Sequence, residues 1–157
     1  MIFRCRNSFK LLFMCSCVAL AFTQASIPKS QQAFAIKVVT SSDDQFWTNS
    51  VIIEGTHEVM LVDAQLTKTN AERVLQQIQA TKKPLSIIYI THEHADHFLG
   101  LEVFKAYRTS RILANSNVVD RINKVYQEKA DKWKGTLGSA ATSHTVAIKH
   151  SVLSNAA

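Results

Sequence analysis

Cysteine is absent from the sequence beyond residue 17, because all three cysteines, Cys5, Cys15 and Cys17, lie near the amino terminus. A domain built from the rest of the chain therefore has neither disulfide bonds nor thiolate ligands. In an oxidising compartment such a domain depends on its hydrophobic core for stability. Any zinc ion that it holds must be bound by histidine and aspartate.

A membrane-spanning run is also missing. The apolar stretch 11–22 has twelve residues, whereas a transmembrane helix needs about 20. No internal repeat or low-complexity segment occurs. The excess of basic residues is small: without residues 1–25, which contain three basic and no acidic residues, the balance of 18 to 12 becomes 15 to 12, a net charge of +3. These charges are scattered among acidic residues, so we predict no nucleic-acid partner. The partner we expect is a small-molecule substrate.

The first 25 residues are typical of a secretory signal peptide. A basic start precedes the apolar run, and Thr23-Gln24-Ala25 provides a small-residue cleavage site. Residues 26–34 follow as a linker. The sequence thus predicts a periplasmic or secreted protein, with no membrane attachment after cleavage. Later or earlier cleavage sites remain open, and a lipoprotein anchor at Cys15 or Cys17 is disfavoured because neither has a convincing lipobox.

The remaining chain predicts strands and helices in an α/β order, forming one domain over residues 35–145 and an irregular tail over 146–157. Alternating and β-branched segments predict strands at 35–40, 46–54, 57–62, 85–90 and 111–114. Helical spacing predicts helices at 67–81, 98–107 and 115–133, the first capped by Thr69 or Asn70. Gly135 and Gly138 are predicted to lie in a loop.

Four metal-ligand side chains occur within six residues directly after the apolar segment 85–90: His92, His94, Asp96 and His97. Imidazole nitrogen and carboxylate oxygen suit a borderline-soft ion such as zinc. His92 and His94 point to one side of an extended turn, while Asp96 and His97 can turn back toward a second position. The spacing therefore favours two neighbouring ions. The helical pattern H-E-x-x-H is not met.

Other residues allow two interpretations each. His57 is predicted to be an exposed strand residue and not a ligand. Asp63 ends a strand at the edge where the metal loop emerges, and is either a turn residue or a carboxylate that orients the ligands. Phe46 and Trp47 are predicted as core or rim aromatics, with a hydrophobic wall over a substrate as the alternative.

The segment Thr-His-x-His-x-Asp-His after a buried strand resembles the metal motif of the metallo-β-lactamase superfamily. Residues 49–55 and 59–64 resemble the two opening strands of that fold, including the aspartate that ends the second. The resemblance covers roughly residues 36–145, the amino-terminal half of a typical member. It implies an α/β fold, the αββα metallo-β-lactamase-like sandwich, truncated here after its first half.

The resemblance also implies a function. His92 and His94 would bind the first zinc ion and Asp96 and His97 the second, with Asp63 behind them and Asp96 also holding the nucleophilic water. The expected reaction is hydrolysis of an ester, thioester or amide, β-lactams included. Members of the superfamily take a third histidine, a bridging aspartate and a late histidine from their second half. Here only His144 offers a weak extra ligand, so we expect weak zinc binding and impaired or absent activity.

Two other classes stay open: a non-catalytic periplasmic zinc-binding protein, and an inert gene fragment. The uncovered sheet would expose an apolar face built from Val51, Ile53, Ile87 and Tyr89. Such a face favours self-association.

Overall fold

The computed structural model describes residues 34–107, 110–142, 146 and 148–150. The predicted signal peptide, the linker up to residue 33, His144 and residues 151–157 lie outside this part. Within it, six strands form one sheet in chain order: β1 Ala35–Thr40, β2 Asn49–Glu54, β3 Val59–Val62, β4 Leu85–Ile90, β5 Arg111–Ala114 and β6 Lys149–His150. Three α-helices accompany it: α1 Lys68–Ala80, α2 Ala95–Phe98 and α3 Ser116–Leu137. Short 3-10 helices span Asp43–Gln45, Leu99–Ala106 and Gly138–Ala140.

The sheet changes direction once. Strands β1, β2 and β3 pair antiparallel as a meander, whereas β3, β4, β5 and β6 pair parallel through helical connections. Parallel strands bring their carboxyl ends to one edge, where open α/β sheets usually bind ligands. The chain segments after β3 and β4 therefore meet at this edge.

One face of the sheet is buried and the other is half-exposed. Alternation along β2, β3 and β4 sends Ile52, Leu61 and Ile88 into a core shared with α1, the segment 98–104 and α3. Their neighbours Val51, Ile53, Ile87 and Tyr89 are only partly buried. The apolar face expected from the sequence is thus present, and self-association through it stays a prediction.

Two predicted strands begin too early. Strand β3 begins at Val59 and not at residue 57. Strand β2 begins at Asn49 and not at residue 46, because Phe46 and Trp47 have left-handed backbones with φ of 66° and 53°. These two residues are also not in the core, being 56% and 65% exposed. The tail predicted to be irregular contains β6, which adds to the edge of the sheet by pairing with β5.

Helix α1 has a different capping residue from the one predicted, and helix α3 ends later than predicted. Helix α1 is capped by the Thr67 side chain, which accepts from the Asn70 backbone N–H, so neither Thr69 nor Asn70 is the cap. Helix α3 continues through Gly135 to Leu137, because Leu137 extends the half-buried stripe one turn beyond Trp133. It ends at Gly138, whose φ is 55°. No helix in the described part combines the length and apolar character that crossing a bilayer requires.

Candidate metal centre

The ends of β3 and β4 bring Asp63 beside the metal motif. In their parallel register Val62 lies opposite Tyr89, and the Asp63 N–H donates to the Tyr89 carbonyl at 2.9 Å. The next residues leave the sheet together. Asp63 has φ of 61°, a left-handed conformation that is uncommon outside glycine and often marks a functional turn.

The carboxylate of Asp63 is a buried acceptor for three donors. It accepts from the Thr91 backbone N–H at 2.8 Å, from the Thr91 hydroxyl at 2.7 Å and from His97 Nδ1 at 2.7 Å. The Asp63 side chain is 6% exposed and that of His97 17%. Asp63 therefore joins the end of β3 to both the start and the end of the motif, and the interpretation as an orienting carboxylate fits its contacts.

These contacts also indicate that Nδ1 is the ring nitrogen of two histidines that contacts Thr91 or Asp63. Because the Thr91 hydroxyl gives its hydrogen to Asp63, its oxygen must accept from His92 Nδ1, which lies 2.9 Å away. His97 Nδ1 likewise donates to Asp63. In His92 this leaves Nε2 as the atom that can bind a metal, whereas in His97 Nε2 lies 3.1 Å from Asp96 Oδ2. A carboxylate or hydroxyl on Nδ1 is the usual partner of a metal-binding histidine.

Asp96 is held in place by two donors. Its Oδ2 accepts from the Thr48 hydroxyl at 2.6 Å and lies 3.1 Å from His97 Nε2. Burial opposes the charge of Asp96, but the hydrogen bonds from His97 and Thr48 outweigh it and hold the pKa of this carboxyl well below its usual range. Burial also opposes the charge of His97, yet the bonds to Asp63 and Asp96 raise the pKa of His97 to about 9. Without metal, the two groups form an ion pair.

The three imidazoles of the motif lie against one another. The ring centroids of His92 and His94 are 4.8 Å apart and those of His92 and His97 3.9 Å. Burial, followed by the proximity of His97 and His94, lowers the pKa of His92. A low pKa favours the neutral imidazole, which is the form that binds metal.

Helix α3 holds the middle of the motif. Arg121 Nη1 donates to Glu93 Oε1 at 2.9 Å, and Lys129 Nζ donates to the Glu93 backbone carbonyl. The hydrogen bond from its own backbone and that from Arg121 lower the pKa of Glu93. Since Glu93 lies between His92 and His94, these contacts fix the segment that carries both histidines.

A close backbone approach fixes the other end of the motif. The Ala64 N–H donates to the His97 carbonyl at 2.7 Å and the Gly100 N–H to the Gln65 carbonyl at 2.8 Å. A side chain at Gly100 would place its Cβ 2.0 Å from the Ala64 carbonyl oxygen. Only glycine allows the two segments to lie this close.

The structure brings together His92, His94, Asp96, His97 and Asp63, and separates His57 from them. His57 is exposed in the turn before β3, at the opposite end of the sheet. Thr48 and the two cations of α3 were not predicted, because their contacts join residues 28 to 48 positions apart in the chain. The contact of Thr91 with Asp63 could have been anticipated, because Thr91 directly precedes the cluster of candidate ligands in the sequence.

The donor set fits a zinc ion in its chemistry, with three imidazoles, one carboxylate and a second carboxylate that orients a ring. As it stands, no group of three histidine, cysteine, aspartate or glutamate side chains in the described residues is arranged to hold one ion. His97 Nε2 and Asp96 Oδ2 lie 3.1 Å apart and contact each other. Imidazole nitrogen and carboxylate oxygen are both atom types that bind zinc.

Comparison with known proteins identifies related sequences. The family described as anti-Pycsar protein Apyc1 matches residues 33–143, more than half of the chain. Exodeoxyribonuclease WalJ from Streptococcus pneumoniae serotype 2 strain D39 is 32% identical over 84 residues, covering 53% of this chain and 31% of that protein. The same protein from strain R6 matches equally. The chain thus spans about a third of the length of these curated relatives.

Solved structures of metallo-β-lactamases are similar at lower identity. The enzyme from Hirschia baltica is 18% identical with a TM-score of 0.45, covering 58% of this chain and 42% of that one. A HARLDQ motif mutant of the enzyme from Cronobacter sakazakii is 22% identical with a TM-score of 0.47, covering 65% and 39%.

Proposed function

The chain belongs to the anti-Pycsar protein Apyc1 family, which is of the metallo-β-lactamase type, and from this membership we propose that His92, His94, Asp96 and His97 form a zinc-dependent hydrolytic site. The metallo-β-lactamase superfamily is a family of hydrolases. The observation that supports the proposal most is the 2.7 Å hydrogen bond between Asp63 and His97 Nδ1. A buried carboxylate that fixes the orientation of an imidazole beside two other imidazoles has little purpose in packing and a direct one in metal binding.

The motif and the family resemblance suggest a role for each residue. His92 and His94 would hold one ion, and Asp96 and His97 a second. Zinc, when bound, supplies Lewis acidity and water with a pKa of about 7. Asp96 stays ionised at neutral pH, so its carboxylate can accept a hydrogen bond from the attacking water. Thr48 keeps that carboxylate in one orientation.

We infer a small-molecule ester, thioester or amide, including β-lactams, as the substrate class. A second candidate is a phosphodiester, because the curated relative is an exodeoxyribonuclease, an enzyme that cleaves phosphodiester bonds of DNA. Both classes need the same attack by water on an electrophilic centre. The two classes differ in charge, because a phosphodiester carries a negative charge next to the bond that is cleaved. The residues around the candidate metal ligands must therefore accommodate that charge if the substrate is a phosphodiester.

Hydrolysis assays of the purified chain test the proposal. The chain is loaded with zinc and offered a thioester, a lactone, a β-lactam and bis(4-nitrophenyl) phosphate. We expect at most slow turnover, below ~1 s⁻¹, and any turnover should be abolished by a chelator and by His94→Ala and kept in His57→Ala. Zinc binding without any turnover would instead favour the non-catalytic zinc-binding protein. Turnover that survives both the chelator and His94→Ala would contradict the proposed site.

The proposed location is the periplasm or the exterior of the cell. It rests on residues 1–25, whose basic start, apolar run and small-residue end are typical of a cleaved signal. Amino-terminal sequencing of the mature product tests it. A product beginning near residue 26 supports export, whereas retention of Met1 on cytoplasmic protein contradicts it.

A further inference from the structure

A cavity of about 380 Å³ lies beside the metal motif. Three parts of the chain line it: the turn before β2, the start of α2 and the second half of α3. The lining residues are Phe46, His94, Ala95, Asp96, Glu128, Lys129, Lys132 and Trp133. The volume lies within the range typical of small-molecule sites. Two of the candidate metal ligands, His94 and Asp96, form part of its wall.

The outer wall of the cavity is aromatic. Phe46 and Trp133 meet edge to face, with ring centroids 5.6 Å apart and an interplanar angle of 81°. Phe46 is 56% exposed and has a left-handed backbone, so neither burial nor backbone preference explains its position. Its contact with Trp133 joins the turn before β2 to α3 across the cavity.

The same wall carries two cations. Lys129 and Lys132 are three residues apart on α3, so they lie on one side of the helix. Lys132 Nζ lies 5.9 Å from the centroid of the Trp133 ring, and among the described residues no carboxylate lies within ion-pair distance of it. Lys129 contacts the Glu93 carbonyl. Lys132 therefore has a charge available to a ligand, while Glu128 places one negative charge on the same rim.

We propose that this cavity is the substrate subsite of the hydrolase proposed above, and that Lys132, Trp133 and Phe46 determine its specificity. The subsite would take an anionic group, phosphate or carboxylate, attached to a flat ring. Lys132 would contact the anionic oxygens, and the aromatic pair would contact the ring. His94 and Asp96 in the adjacent wall then place the bond to be cleaved next to the metal ligands. This assignment rests on the proposed function for its role in turnover, but ligand binding can be measured without it.

Binding is measured through Trp133 itself. The chain has two tryptophans, so Trp133 is the only one left in a Trp47→Phe variant. In that variant we expect phenyl phosphate or benzoate to change the Trp133 emission, and neutral benzamide to do so at about tenfold higher concentration. Lys132→Gln should remove this preference for the anion. Comparing phenyl phosphate with benzoate distinguishes the two anionic groups.

The matched control is Lys134→Gln, which removes a neighbouring cation that does not line the cavity. In a turnover assay with zinc, Lys132→Gln should raise KM for bis(4-nitrophenyl) phosphate about tenfold with little change in kcat. KM for neutral 4-nitrophenyl acetate should not change. Phe46→Ala should raise KM for both ring-bearing substrates.

Two sets of results separate the subsite from the enzyme activity. An anion preference in fluorescence that disappears in Lys132→Gln, without turnover, would support the subsite and contradict the hydrolase. Turnover whose KM is the same in Lys132→Gln and Phe46→Ala as in the wild type would support the hydrolase. Together with a Trp133 emission that phenyl phosphate and benzoate leave unchanged, it would overturn the subsite. Equal effects of Lys132→Gln and Lys134→Gln would also overturn it, since they would reflect only net charge.

Discussion

The two ends of the sheet carry charged pairs of similar length in different surroundings. At the carboxyl end Asp63 and His97 are 2.7 Å apart and their side chains are 6% and 17% exposed. At the amino end Glu54 and Lys83 are 2.6 Å apart and 31% and 28% exposed. Distance alone does not distinguish them. Burial and the number of further partners do. Asp63 accepts two more hydrogen bonds from Thr91, whereas the other pair is partly exposed and adds only one, from Lys83 Nζ to the Gly55 carbonyl.

The difference predicts how rigid each end is. A buried carboxylate with three donors can adopt few other orientations, so the residues attached to it have fixed positions. A half-exposed ion pair is screened by water and contributes little. Precise geometry is thus expected only at the carboxyl end, where the candidate ligands lie.

The largest effect is expected from Asp63→Asn. In the wild type, Asp63 Oδ2 accepts from both the Thr91 hydroxyl and His97 Nδ1. In the variant an amide nitrogen replaces this oxygen and cannot accept either hydrogen bond, so the buried network loses its central acceptor. We expect the free energy of unfolding to fall by about 2–4 kcal/mol and zinc affinity to fall at least about tenfold. Urea denaturation and zinc titration measure the two effects. An Asn variant with wild-type values for both would show that the network does not organise this end.

Gly100→Ala should be destabilising through a steric clash. The added Cβ would lie 2.0 Å from the Ala64 carbonyl oxygen, so the backbone must shift, at a cost of about 1–3 kcal/mol. The matched control is Gly135→Ala, since nothing lies within 4 Å of a Cβ there. In the helix interior that change should stabilise the protein by about 0.5–1 kcal/mol. Thermal melts of both variants test this, and equal shifts would contradict the close approach.

The metal-free protein should lose stability as the pH rises. The pKa of His97 is raised from 6.5 to about 9, so the charged imidazole stabilises the fold fully below pH 6.5 and less as the pH passes through about 9. Over that window we expect a loss on the order of 1–3 kcal/mol. Urea denaturation with a chelator present, from pH 6 to 10, measures it. In His97→Gln this pH dependence should disappear, and parallel curves for both proteins would contradict the ion pair.

The smallest effect is expected at the amino end of the sheet. Glu54→Gln removes the charge partner of Lys83, but both side chains are partly exposed. We therefore expect a change of about 0.5 kcal/mol or less. A loss comparable to that of Asp63→Asn, in the same denaturation assay, would remove the distinction between the two ends.

Local patterns predicted most of the fold. An alternating segment identified β1 and an apolar run identified β4. The polar cluster after residue 90 predicted the candidate metal motif and its edge of the sheet. Asp63 could be placed because it ends a strand in the order that the resemblance requires. All of these depend on neighbours in the sequence.

Other features of the site depend on residues far apart in the chain. The Thr48 hydroxyl reaches Asp96 across 48 positions, and the cavity forms only because α3 packs beside the turn before β2. Phe46 and Trp47 have apolar, strand-like chemistry but left-handed backbones, so propensity assigned them to a strand that begins later. Tertiary packing decides such contacts, and no local pattern encodes them.

The central claim is that the motif at the carboxyl end of the sheet binds metal. Zinc titration of the full chain by equilibrium dialysis, with His94→Ala and His57→Ala compared, tests it most directly. The side chains of His94 and His57 are both exposed, so neither change should affect folding. The two variants therefore compare the loss of one imidazole at the carboxyl end of the sheet with the same loss at the amino end. We predict that His94→Ala weakens zinc binding at least about tenfold and that His57→Ala leaves it unchanged. Equal affinities, or a larger loss in His57→Ala, would contradict the assignment.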